Sequence, residues 1–181
     1  MQTLSSIDPA GATGKTKQIF DAFQKHLGTV PNLLRVLANS PAALNGYASF
    51  SGALDAGNLP PKTREQIAIA VANANSCDYC LSAHTALGKL VGLGADDLTR
   101  AQNADAQDAK TAAALHFATK LVRQRGMLPA SEVEALRSAG YSDGEVAEVV
   151  AVVAINIFTN YFNHVAGTEI DFPVVHSSSI R

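Results

Sequence analysis

The chain has 181 residues, 47% of them hydrophobic, which fits one globular domain with a sizeable core. Its net charge of −2, with no long run of one sign, excludes an electrostatic surface for nucleic acid or an anionic membrane. Two cysteines exclude a disulfide framework, so the pair needs a local explanation.

The N-terminal stretch MQTLSSIDPAGATGKTKQ has no apolar segment behind basic residues, so no secretory signal is read and a cytoplasmic protein is expected. Residues 1–14 read as a flexible lead-in to a single domain spanning 1–181. Within them, PAGATGKT (Pro9–Thr16) imitates a phosphate-binding loop. Pro9 stands where that loop needs glycine and no strand precedes it, so nucleotide binding is set aside.

From there the turn signals mark out helices. Lys15–Leu27 puts Ile19, Phe20, Phe23 and Leu27 on one face and stops at Gly28. Val30–Leu37 is short and apolar, with Pro31 in its first turn. Pro41–Ala56 ends at Gly57, and Pro60-Pro61 opens a helix through Ala74. The run CLSAHTALGKLVGLG is a fifth helix and Asp96–Gln102 a short sixth. Asp108–Arg125 carries an apolar stripe, with basic residues at the end that suits the dipole. Ser131 with Glu134, then Ser142 with Glu145, read as capping boxes of a short helix and of a long one reaching about Ala166. Its most apolar part, Val149–Phe158, is too short to span a bilayer. No hairpin or βαβ signal appears, so the expected class is all-α.

The stretch NSCDYCLSAH (Asn75–His84) holds both cysteines, and a metal site, redox chemistry and a plain core are all open to it. A structural zinc site needs four ligands. Cys77, Cys80 and His84 are local, His164 is a candidate fourth, and no second cysteine or histidine pair exists, so no metal is expected. Cys77-x-x-Cys80 sets two thiols one helical turn apart at a helix start, where the dipole favours a thiolate on Cys77. That reading suits Cys77 as an exposed sulfur open to an incoming reductant. His84 follows Cys80 by four residues on the same face, a nucleophile-and-base arrangement. If the chain turns near Asn73–Ser76, Glu65 and His84 lie equally far from the turn and meet across the helix pair. A carboxylate beside an imidazole orients it and raises its basicity. On the long last helix, Asn156, Asn160, Asn163 and His164 form a polar stripe that must be satisfied, and one way is to face the cysteines. Arg64 reads as solvated or ion-paired, and His26 and His116 as surface or boundary residues.

Taken together, this pattern resembles the carboxymuconolactone decarboxylase superfamily and, within it, the alkyl hydroperoxidase D-like, peroxidase-related branch. The resemblance runs through GTVPNLLRVLANSPAAL (Gly28–Leu44), LPPKTREQIAIAVANANSCDYCLSAH (Leu59–His84) and NYFNHVAGTEIDFP (Asn160–Pro173). It implies an alkyl hydroperoxidase D-like helical bundle with the Cys-x-x-Cys at the start of a helix. It also implies a homo-oligomer, trimer or hexamer, packed through the cysteine helix pair. Its chemistry is that of a thiol peroxidase or disulfide reductase. By the same resemblance Cys80 is the peroxidatic cysteine, Cys77 the resolving one, and Glu65 and His84 the proton relay. No cofactor is needed, and a dithiol or thioredoxin-like reductant resets the disulfide. The best-known members carry a histidine just before the second cysteine. Here that residue is Tyr79, a hydrogen-bond donor but a poor base near neutral pH. Two alternatives are a lactone decarboxylase-type enzyme, which does not depend on the cysteine pair, and a redox-sensing oligomer that oxidises once and stops.

Overall fold

The computed structural model describes residues 2–178, and among these every regular element is helical: α1 (Gly14–Leu27), α2 (Asn32–Leu37), α3 (Pro41–Asp55), α4 (Pro61–Ala74), α5 (Asp78–Leu90), α6 (Ala95–Gln102), α7 (Ala109–Arg123), α8 (Ala130–Ser138) and α9 (Asp143–Ala166). The middle of the bundle belongs to α4. Its run from Ile67 to Asn73 is buried on every side, and it packs against α5, α6, α7 and α9. A helix buried all round needs small side chains where its neighbours crowd it, and Ala68, Ala70 and Ala72 supply them. Close packing recurs at Gly88 of α5, where a Cβ would sit 2.9 Å from Leu98 Cδ2.

The ends of α4 are fixed from outside. Glu148 on α9 accepts the backbone N–H groups of Asn58 and Leu59, at 2.8 and 2.9 Å, so the approach to α4 is tied to α9. The exit is a tight turn in which Ser76 takes the left-handed region at φ 54°. Asn75 holds this turn to α9, since its Nδ2 donates to Asn160 Oδ1 at 2.8 Å and its carbonyl lies 2.9 Å from His164 Nε2. The two helices flanking the cysteines are thereby locked against the polar stripe of α9.

Three local expectations need revising. The Ser131–Glu134 capping box does not form: α8 starts one residue earlier, after Pro129, and Glu134 pairs with Arg137 instead. Residues 2–12, expected as a loose lead-in, bond to the body of the protein through Thr3 N to Ala166 O at 2.8 Å and Ile7 N to Arg35 O at 3.0 Å. The apolar stretch is also longer than ten residues. All 24 residues of α9 are helical, and by length and mean hydropathy the helix could cross a bilayer, but half of its most apolar window is buried against the protein.

Candidate active site

Cys77 is the N-cap of α5, and its Sγ accepts the backbone N–H of Cys80 at 3.4 Å. That contact folds the second thiol back over the first. Both are free and buried, at 2% and 3% exposure. Asn163 of α9 donates its Nδ2 to Cys80 Sγ at 3.2 Å. Across the α4–α5 hairpin, Glu65 Oε2 and His84 Nδ1 are 2.8 Å apart, and both side chains are about four-fifths buried.

The two thiols are not equivalent. Burial alone would push Cys80 up. Hydrogen bonds from Cys77 and Asn163, the nearby His84 and the carboxamide of Asn160 outweigh it and bring the thiol to about 7. Cys77 moves far upward, because its hydrogen bond to Cys80 and its own burial hold the proton on it. The helix-dipole expectation of a thiolate on Cys77 is therefore reversed, as is the expectation of an exposed Cys77 sulfur. Two sulfurs in one buried turn share one negative charge, and the additional donors all face Cys80. Burial would lower His84, but the Glu65 charge and hydrogen bond, together with Cys80, hold it above its ordinary value. Nδ1 is held by Glu65, and a side-chain hydrogen bond with Asn156 adds to the upward shift.

Asn160 is fully buried. Its Oδ1 accepts from Asn75, and its Nδ2 has no ordinary hydrogen-bond partner while contributing to the stabilisation of the Cys80 thiolate. Tyr79 and His164 line openings beside the thiols, but their own polar atoms are spent elsewhere. The Tyr79 phenol oxygen accepts the backbone N–H of Leu33 at 3.0 Å and its ring meets Phe172 edge-on at 5.9 Å, so this residue anchors α2 and the chain after α9. Burial also raises its pKa, which removes it as a base. His164 is exposed and spent on the Asn75 carbonyl. Arg64 pairs with Asp55 at 2.9 Å.

One residue escapes sequence reasoning. Tyr47 of α3, together with His84 and Thr159, lines two cavities beside the Glu65–His84 pair. The first is polar, about 80 Å³, and includes Glu65, Arg64 and Asn156. The second is apolar, about 60 Å³, walled by Phe23, Leu27, Leu34, Leu87 and Phe172, with Cys80 on its lining. Burial first, then the charges of Glu65 and Cys80, push Tyr47 up to about 12, so it stays a neutral phenol. Nothing in the alanine- and serine-rich α3 sequence marks it, because its relevance comes from α4, α5 and α9.

This arrangement of a Glu–His pair beside Cys-x-x-Cys lies inside residues 41–124, which match the carboxymuconolactone decarboxylase family. That match spans just under half of the chain. Helices α1, α2, α8 and α9, and with them Asn160 and Asn163, lie outside that segment. An alkyl hydroperoxide reductase of Mycobacterium tuberculosis is 27% identical over 85 residues, which cover 46% of this chain and only a quarter of that protein's length. Over the whole fold, the chain superposes on the alkylhydroperoxidase AhpD core of a peroxidase-related protein from Ralstonia eutropha JMP134. The TM-score is 0.86 at 24% identity, covering 94% of this chain and 92% of that one. A peroxidase-related protein from Silicibacter sp. TM1040 gives a TM-score of 0.74 at 26% identity, over 93% and 94% of the two chains. The debrominase Bmp8, in complex with 2,3,4-tribromopyrrole, shares the fold at a TM-score of 0.81 and 22% identity, over 94% and 93%. The all-α, AhpD-like class expected from the sequence is thus the fold class of this chain.

Proposed function

We propose that the protein is a thiol-dependent peroxidase in which Cys80 reduces a hydroperoxide and Cys77 closes the disulfide. One observation carries this reading: the thiol brought down to about 7 is the one that shares the lining of an apolar cavity with the relay histidine. The Cys80 thiolate attacks the terminal peroxide oxygen, the O–O bond breaks, and an alkoxide leaves. The His84 imidazolium, held by Glu65, gives the alkoxide its proton. Cys80 is then a sulfenic acid. The Cys77 sulfur attacks it, hydroxide leaves with the Cys77 proton as water, and the disulfide forms. Two electrons have passed from the thiols to the peroxide, and a dithiol must return them. Asn163 and Asn160 serve as donors that stabilise anionic sulfur on Cys80. The apolar cavity suits an organic hydroperoxide, and Tyr47 offers its wall a hydroxyl that does not ionise.

The outer face of α9 supports an oligomer. Val150, Phe158, Tyr161 and Val165 are exposed along one side of the helix, at 41, 42, 58 and 72%. A homo-oligomer that covers this face accounts for so much apolar surface on a long helix.

A second reading rests on the same apolar cavity. A soft thiolate facing an aromatic-lined pocket can take bromine from an activated aryl bromide: an S–Br bond forms on Cys80, the C–Br bond breaks with its electron pair left on carbon, and the His84 imidazolium protonates that carbon. The Cys77 sulfur then attacks Cys80, the S–Br bond breaks, bromide leaves, and the Cys77 proton is released as the disulfide forms. The two readings share their thiols and differ in substrate.

Steady-state consumption of cumene hydroperoxide with excess dithiothreitol tests the leading reading. Many turnovers per subunit are expected. Oxidation that stops after one equivalent indicates a sensor, and bromide release from a bromopyrrole without peroxide turnover supports the second reading. The donor role of Asn163 is checked by alkylation of Cys80 with iodoacetamide against pH. The wild-type rate rises as pH climbs through about 7, where half of the thiol is ionised. Asn163→Ala removes a hydrogen bond to the charged form, so its midpoint moves to higher pH, and an unmoved midpoint refutes the role.

A further inference from the structure

The two cysteines line different openings. Cys80 lines the apolar cavity and Cys77 does not. Cys77, itself 2% exposed, instead lines a separate groove, with Asp78, His164 and Thr168 among its other walls. The groove has a volume of about 350 Å³, against about 60 Å³ above Cys80. Two of its lining residues carry buried polar atoms without partners among the described residues, Asn163 Oδ1 and Thr168 Oγ1, on residues 4% and 8% exposed. Buried polar atoms are nearly always paired, and an unpaired one carries a desolvation cost until a ligand satisfies it. Asn163 thus touches both halves of the chemistry, with its Nδ2 on Cys80 Sγ and its Oδ1 unpaired.

We propose that this groove is where a protein dithiol docks to reset the disulfide, with a main-chain amide of that protein held by Asn163 Oδ1 and Thr168 Oγ1. The inference rests on the peroxidase reading of the thiol pair. One unpaired acceptor and one unpaired hydroxyl match the N–H and C=O of a secondary amide. The volume of the groove suits a stretch of polypeptide, whereas the cavity above Cys80 suits a small apolar molecule. The partner's thiolate attacks Cys77 Sγ, the Cys77–Cys80 bond breaks, and Cys80 leaves as the thiolate. The partner's second thiol then displaces Cys77, which takes up the proton, and the partner departs as a disulfide. Exchange is fastest when the better-stabilised thiolate leaves, and all the extra donors face Cys80. Substrate and reductant therefore use different openings and do not compete for one.

The disulfide is first formed with diamide, independently of any peroxide, and then reduced by thioredoxin or by dithiothreitol. Thr168→Val is expected to slow reduction by thioredoxin roughly threefold to tenfold, the worth of one hydrogen bond. Reduction by dithiothreitol, which has no amide, and single-turnover oxidation by hydrogen peroxide should be unchanged. Thr168→Ser should restore the thioredoxin rate. A thioredoxin lacking its second cysteine should be trapped on Cys77, as read by peptide mass spectrometry. The proposal is overturned by an unchanged thioredoxin rate in Thr168→Val, by equal slowing with both reductants, or by trapping on Cys80. Failure of wild-type protein to consume peroxide sinks the peroxidase reading instead, and is read in a separate assay.

Discussion

Cys80→Ser is expected to reduce peroxide turnover to the level of buffer alone, whereas Cys77→Ser should still react once. The difference follows from which sulfur can carry charge. Cys80 is brought down to about 7 by donors that a serine hydroxyl cannot exploit, since an alcohol remains protonated in this range. Cys77 holds its proton and donates toward Cys80. Serine there keeps a hydroxyl donor but removes the resolving thiol, and leaves Asn163 and His84 in place. Cys77→Ser should therefore consume one equivalent of peroxide, give a dimedone-reactive sulfenic acid and stop. In Cys77→Ala, which has no donor there, the alkylation midpoint should lie above the wild-type value, because the hydrogen bond from Cys77 does more than any other contact to offset burial at Cys80. Turnover in Cys80→Ser equal to wild type would refute the mechanism. Dimedone labelling of Cys77 in that variant would exchange the two roles.

Parts of this site were legible because they depend on local periodicity. A hairpin about a tight turn puts residues equally distant from it side by side, which brings Glu65 and His84 to 2.8 Å. The i, i+4, i+7 spacing of Asn156, Asn160 and Asn163 likewise puts them on one buried face of α9, although their partners were not specified. The inversion of the two thiols was not legible. At the sequence level Cys77 is a thiol at a helix N-terminus, but its position as N-cap spends the sulfur on the Cys80 N–H, and the other donors come from α9, far along the chain. Tyr79 misled in a similar way. Between two cysteines it reads as part of their chemistry, yet the helix rotates it about 100° per residue away from Cys80. Its hydroxyl goes to Leu33, a contact made by an element 46 residues earlier.

Glu65→Gln is expected to lower peroxide turnover near neutral pH by about a hundredfold, the low end of what a positioned acid–base group contributes. Glutamine keeps the size of the side chain, and its carbonyl can still accept from His84 Nδ1, so the imidazole stays oriented. What disappears is the charge, which is the leading influence holding His84 above its ordinary value against burial. The imidazolium population at neutral pH falls, and the alkoxide loses its proton donor. Cys80 also loses part of its stabilisation, because the charge on His84 is one of the influences that lower it. The alkylation midpoint of Cys80 should therefore rise, and the His84 ring resonances should titrate at lower pH in an NMR experiment. The sign extends to stability. A histidine whose folded pKa is raised stabilises the fold below its unfolded value of about 6.5, and the contribution is lost as pH rises through the folded value. Glu65→Gln should thus be more destabilising at pH 6 than at pH 9 in chemical denaturation. Turnover, alkylation midpoint and His84 titration that all match wild type would show that the pair orients a helix and moves no proton. Turnover that falls while both titrations stay fixed would assign Glu65 to the substrate, through the polar cavity it lines with Arg64 and Tyr47.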